Sequence, residues 1–152
     1  MKKILILLQV VLAITLTSCG GYKSIYSAKT HNFNITSIKI DENNEISSKI
    51  KNSLKLFSNL NSKKEIIIKI NSKKTVEITS KDAKGDPKTF AMTIRLNLEI
   101  DHNGSKRNNT FSETFGYNNK SNKFDLKKYE RNIQNNLIEK ILENITLYLS
   151  TI

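Results

Sequence analysis

The sequence predicts an α+β fold: a two-layer sandwich with two amphipathic helices on one face of a four-stranded mixed sheet, in the order β-α-β-β-β-α. Three observations predict it. Phe90, Met92, Ile94, Leu96, Leu98 and Ile100 alternate with Ala91, Thr93, Arg95, Asn97, Glu99 and Asp101, the period of a strand buried on one side only. Ile46, Ile50 and Leu54, and later Ile133, Leu137, Ile141 and Ile145, step by four, the spacing of a helix with one apolar stripe. Two such helices can cover one sheet face, and nothing is left to cover the other.

In chain order, Phe33, Ile35, Ile38 and Ile40 mark a first strand whose alternation slips at Thr36-Ser37, as a bulge would make it. Asp41 or Asn43 is placed to cap the next helix, and Glu42 and Glu45 suit its positive end. Ile46, Ile50, Leu54, Phe57 and Leu60 form the apolar face of that helix, with Lys49, Lys51 and Lys55 off it. A second strand over 65–80 places Ile66, Ile68, Ile70, Val76 and Ile78 on one face, weakened in the middle by Ser72-Lys73-Lys74. The loop 81–88 carries Gly85 and Pro87 as turn punctuation, with Asp82 and Asp86 as turn residues. After the third strand, Asn103-Gly104 signals a tight hairpin. The fourth strand has Phe111, Phe115 and Tyr117 on one face, interrupted by Glu113.

A polar loop over 118–123 leads to the last helix, which Asp125 could cap while Phe124 and Tyr129 close a hydrophobic staple. Over 126–149 that helix would be about 36 Å long, close to the roughly 33 Å of a ten-residue strand. The first crossover should be right-handed and make its two strands parallel, with an antiparallel meander after it.

The N-terminus predicts where the domain works. Met1-Lys2-Lys3 is a positive head, and residues 4–16 are apolar apart from Gln9 and Thr15. That run is too short for the roughly 20 residues of a spanning helix, and it reads as an export signal. Its end, Leu16-Thr17-Ser18-Cys19, resembles the bacterial lipoprotein signal. The resemblance implies a cleaved signal peptide over 1–18, recognised through Leu16, Thr17 and Ser18. It also implies Cys19 as the new N-terminus, carrying an N-acylated diacylglycerol. Chains of this kind, palmitate among them, would anchor the protein firmly, since each buried methylene contributes about 0.8 kcal/mol. Gly20 and Gly21 offer no acidic retention signal, so lipoprotein sorting implies the periplasmic face of the outer membrane. Residues 19–30 read as a lipid-anchored tether and 31–152 as one domain. Cys19 is the sole cysteine, so apolar packing without a disulfide must hold the fold.

Formal net charge is +11, which points to a polyanion. Export argues against nucleic acid and for lipopolysaccharide. Of the 25 basic residues only Arg95, Arg107 and Arg131 are arginine. Lysine acts as a mobile point charge where arginine grips phosphate bidentately, so the composition suits general attraction better than a shaped phosphate pocket.

Several stretches carry a family resemblance: Cys19-Gly20-Gly21-Tyr22-Lys23-Ser24-Ile25-Tyr26-Ser27, the run from Thr79 through Asp82-Ala83-Lys84-Gly85-Asp86-Pro87 to Phe90, Phe115-Gly116-Tyr117-Asn118, and Ser121 to Glu130. With the element order, they are similar to the LPS-assembly lipoprotein LptE family in a divergent alphaproteobacterial form. That resemblance implies two helices on a four-stranded sheet. It also implies a plug inside an LptD-like β-barrel that helps the barrel assemble and binds lipopolysaccharide. An uncovered polar sheet face suits a barrel lumen, which is polar.

No catalytic signature accompanies it. His31 and His102 lack metal-ligand spacing, and there is no G-x-S-x-G motif or glycine-rich phosphate loop. No enzyme, cofactor or metal is expected. The other reading these residues allow is a lipid-anchored scaffold or adaptor of a different envelope complex. As candidate contacts with lipopolysaccharide or the barrel, the sequence offers Lys81, Lys84 and Lys88 in the loop between strands two and three, and Arg95 on the polar face of strand three.

Overall fold

The computed structural model describes residues 33–151. Leu16, Thr17, Ser18, Cys19, the tether and His31 lie outside the described residues. Six elements follow in order: β1 (Asn34–Ile40), α1 (Glu45–Lys55), β2 (Glu65–Lys81), β3 (Pro87–His102), β4 (Ser105–Asn118) and α2 (Lys123–Ser150). They form one sheet of order β1-β2-β3-β4. β1 and β2 are parallel; β2, β3 and β4 are antiparallel. This is the α+β architecture the periodicities predict.

The register follows from the alternation. Ile66, Ile68 and Ile70 of β2 lie beside Ile100, Leu98 and others of the even row of β3, and all are buried under the helices. β1 adds Ile38, with the bulge at Thr36 between Ile35 and Ser37. α1 packs on β1 and β2, α2 on β3 and β4, and the helices touch each other. Lys49 Nζ reaches Asn135 Oδ1 across that seam at 2.5 Å. The core is therefore a single apolar layer, with Ile50 and Leu54 of α1 over β1 and β2, and Ile138, Ile141 and Ile145 of α2 over β3 and β4. Asn103 (φ 53°) and Gly104 (φ 82°) both adopt the left-handed conformation that a two-residue hairpin requires.

Several local expectations are corrected. Asn44, not Asp41 or Asn43, caps α1. Its Oδ1 accepts from Ser47 N at 2.9 Å and from Ser72 Oγ at 3.0 Å, while its Nδ2 donates to Ser72 O at 3.0 Å. An amide offers both donor and acceptor, which a carboxylate cannot, so one side chain caps α1 and ties it to β2. α1 ends before Leu60, which is 83% exposed. β2 does not weaken at Ser72-Lys73-Lys74, because β3 pairs with it residue by residue from Ile67 to Ile78. Ser72 is buried against Ser47, their hydroxyls 2.7 Å apart. Lys74 Nζ meets the buried Gln134 Oε1 at 2.8 Å.

At the last helix the cap is Asn122 rather than Asp125, its Oδ1 accepting from Phe124 N at 2.9 Å. Phe124 therefore falls inside the first turn and stays 70% exposed, so the expected staple does not close. Tyr129 packs edge-on against Tyr117 instead. Phe115 is half exposed, whereas Tyr117 is buried.

Candidate polyanion-binding end

The tip of the β2–β3 hairpin is built around Asp82. Its Oδ1 accepts from Lys84 N and Asp86 N, both at 2.9 Å, and its own N–H donates to Asp86 O at 2.8 Å. Gly85 supplies the positive φ of 88° that closes the turn, a conformation costly for any residue with a Cβ. Pro87 opens β3, where a missing N–H is tolerated. The carboxylate of Asp82 is thus engaged by main-chain donors, as its turn role predicts. Lys81, Lys84 and Lys88 stand exposed around it.

The chain brings a second basic segment to the same end. Asn119 donates its main-chain N–H to Lys88 O at 2.9 Å and its Nδ2 to Pro87 O at 2.8 Å. That docks the β4–α2 loop on the base of the hairpin and places Lys120 and Lys123 at this end, with Lys127 and Lys128 following in α2. Lys120 Nζ lies 4.4 Å from the Tyr129 ring centroid, a cation–π contact. Beneath it, Tyr117 stacks on Phe90 with centroids 5.5 Å apart and donates its hydroxyl to Glu130 Oε1 at 2.7 Å. Burial, and then that hydrogen bond, push the Tyr117 phenol well above its ordinary range.

The only ion pairs among the described residues are Lys69–Asp41 at 3.2 Å and Lys106–Glu99 at 3.1 Å. The lysines of this end are therefore not neutralised by carboxylates of the described chain. Lys123, Lys127 and Lys128 also sit in the first two turns of α2, where the helix dipole already favours negative charge. Exposed Phe124 lies among them. The arrangement can attract a multiply charged anion with an apolar portion.

Arg95 is elsewhere. It projects from the middle of β3, seven residues and about 23 Å of strand from Lys88. Its direct neighbours are Lys73 on β2 and Ser112 on β4. Like charges placed opposite each other in a sheet repel, so Lys73 and Arg95 form a second, smaller basic spot. Uncharged pairs flank it on the open face: Asn71 with Asn97 and Thr75 with Thr93. Further along that face, a shallow trough of about 350 Å³ is lined by Asp41, Lys69, Asn97 and Glu99 among others. Lys69 is paired with Asp41 inside it, and Glu99 with Lys106 beside it, so it exerts little pull on an anion.

The four residues named from sequence therefore occupy two places, three at the hairpin tip and one on the open face. Lys120, Lys123 and Lys73 were missed as partners. Their proximity depends on the Asn119 docking and on the β2–β3 register, neither of which a local motif encodes. His102 serves structure, its Nδ1 2.8 Å from Glu65 O.

The class this fold defines is a two-layer domain with two helices over a four-stranded mixed sheet. No family model matches the chain, and no curated relative matches it. Among solved structures, the rare lipoprotein B from Shewanella oneidensis is similar with a TM-score of 0.54 at 9% identity, covering 74% of this chain and 95% of that one. A minor lipoprotein from Acinetobacter baumannii is similar with a TM-score of 0.54 at 11% identity, covering 80% of this chain and 94% of that one. Lipoprotein B from Nitrosomonas europaea gives 0.51 at 14% identity, covering 86% and 93%. At these identities the likeness is one of fold.

Proposed function

We infer that the chain is an outer-membrane lipoprotein, anchored through Cys19 at the periplasmic face. In this reading it plugs and helps assemble an LptD-like β-barrel and binds lipopolysaccharide on its way to the outer leaflet. The observation that carries the reading is the fold shared with lipoproteins, combined with a cluster of lysines at one end that have no carboxylate partner among the described residues. The open face of β3, with Thr93, Arg95 and Asn97 toward solvent, supports a plug, because a polar surface can sit in a polar lumen without a desolvation penalty. The hairpin-end lysines would draw the phosphates of lipid A, and exposed Phe124 could rest against an acyl chain. The reading assigns the chain no reaction and no cofactor.

Purification of an affinity-tagged full-length chain from native outer membranes tests it. A large β-barrel should co-purify in defined proportion. Cys19→Ser should accumulate with its signal uncut, because serine lacks the thiolate that accepts the diacylglycerol. A membrane-anchored chain recovered with other envelope proteins and no barrel would favour the scaffold reading. Normal processing of the serine variant would sink the lipid anchor.

A further inference from the structure

β2 is longer than its neighbour. β1 ends at Ile40, opposite Ile70, while β2 continues to Lys81. Among the described residues, the one bond to the outer main-chain edge of β2 beyond Ile70 comes from Asn44, whose Nδ2 caps Ser72 O at 3.0 Å. Among the described residues no strand pairs with that edge from Lys73 to the bulge at Thr79.

Which groups point outward follows from the bonds already made. Ile70 O accepts from Asp41 N at 3.1 Å and Ser72 O accepts from Asn44, both on the β1 side. Main-chain direction alternates along a strand, so Lys74, Val76 and Ile78 aim their N–H and C=O groups out at the edge. The same even residues carry side chains on the helix side, where Val76 is 44% and Ile78 50% exposed. On the other face, Lys73 and Glu77 stand exposed along the edge strand, with Arg95 one strand inward beside Lys73, and Lys81 follows at the end of the strand.

We propose that the β2 edge from Lys73 to Ile78 accepts an extended strand of a partner protein, apolar on the face that covers Val76 and Ile78 and net acidic on the other face, with a carboxylate beside Lys73. Strand addition satisfies main-chain groups and lets alternate side chains set specificity. Charge decides against a second copy, since a chain of net charge +11 repels itself at long range. The lysines of this edge would also discourage indiscriminate pairing, and an acidic strand turns that barrier into attraction. This inference is independent of where lipopolysaccharide binds and of whether the partner is a barrel.

The test is amide hydrogen exchange on the full chain in detergent, with a synthetic peptide of four Val-Glu repeats as the probe and four Val-Lys repeats as the control. In the free protein the amides of Lys74, Val76 and Ile78 should exchange fast and those of Lys73, Thr75 and Glu77 slowly. The Val-Glu peptide should slow the first three by about tenfold or more. Val76→Pro removes an outward donor without breaking a bond to β3, and edge strands tolerate proline there; it should abolish the effect. If that variant does not fold, the wild-type comparison of the two peptides decides alone. Unchanged exchange with the Val-Glu peptide, or equal protection by the Val-Lys peptide, overturns the proposal. So does a free chain that is already dimeric and protected at all three amides, which would make a second copy the occupant.

Discussion

Asn44 shows how one side chain can decide how two elements meet. Its amide caps α1 and holds Ser72, which ties the start of the helix to β2 just past the end of β1. At the same scale, the fully buried Ile94 and Leu96 sit on the even row of β3, in the layer covered by α2. Truncating either to Ala should cost about 2–5 kcal/mol, because a cavity remains as well as lost apolar transfer. Thr93→Ala and Asn97→Ala should cost far less, being on the open face. Urea midpoints for the four variants check this, and sensitivity at the odd positions would mean the sheet's faces are reversed. Leu60→Ala should be close to neutral, since that side chain is exposed.

At the level of elements, the junction of β4 with α2 is held by Tyr117, which joins Phe90, Tyr129 and Glu130. Its phenol pKa is raised above the ordinary 10.0 by burial first and by the Glu130 bond second. In the unfolded chain the phenol loses its proton near about 10, while the folded chain keeps it. Above that pH the native state holds more protons than the unfolded one, so stability is full below about 10 and falls as pH rises. Tyr117→Phe should flatten this fall. Thermal midpoints of the two proteins from about pH 9 to about pH 11 provide the measurement, and identical slopes would show that the phenol is not held in the native state.

At the scale of the whole described domain, two basic segments far apart in sequence, 81–88 and 120–128, are brought to one end. Lys81, Lys84 and Lys88 changed together to Gln should weaken lipopolysaccharide binding and flatten its salt dependence. Lys120→Gln with Lys123→Gln should do the same, and Arg95→Gln should add a separate, smaller loss. Each exposed pairing contributes at most about 1 kcal/mol, and sites about 23 Å apart should combine additively. Titration with lipopolysaccharide at low and high salt reads these effects, while thermal unfolding should stay nearly unchanged. Full binding by the folded lysine variants would move the ligand away from this end.

Strand order, helix positions and the buried row of β3 were legible in the sequence because each depends on a period: two for a strand, 3.6 for a helix. Hairpins were legible where a turn needs a particular backbone, as at Asn103-Gly104 and Gly85. Caps were misplaced by one to three residues, since Asp41, Asn43 and Asn44 are chemically similar and only Ser72, twenty-eight residues away, selects Asn44. Leu60 and Phe124 fit the apolar patterns yet lie exposed, because the helix ends that would bury them are set by capping. The candidate site divides in the same way. That the chain is basic, and which lysines flank the turn, is local information carried by the sequence. Only the tertiary structure decided that Lys120 and Lys123 join that turn through Asn119 and that Arg95 pairs with Lys73 instead. Both contacts are made between segments whose separation along the chain is bridged by sheet register, and register is a property of the folded sheet rather than of either segment.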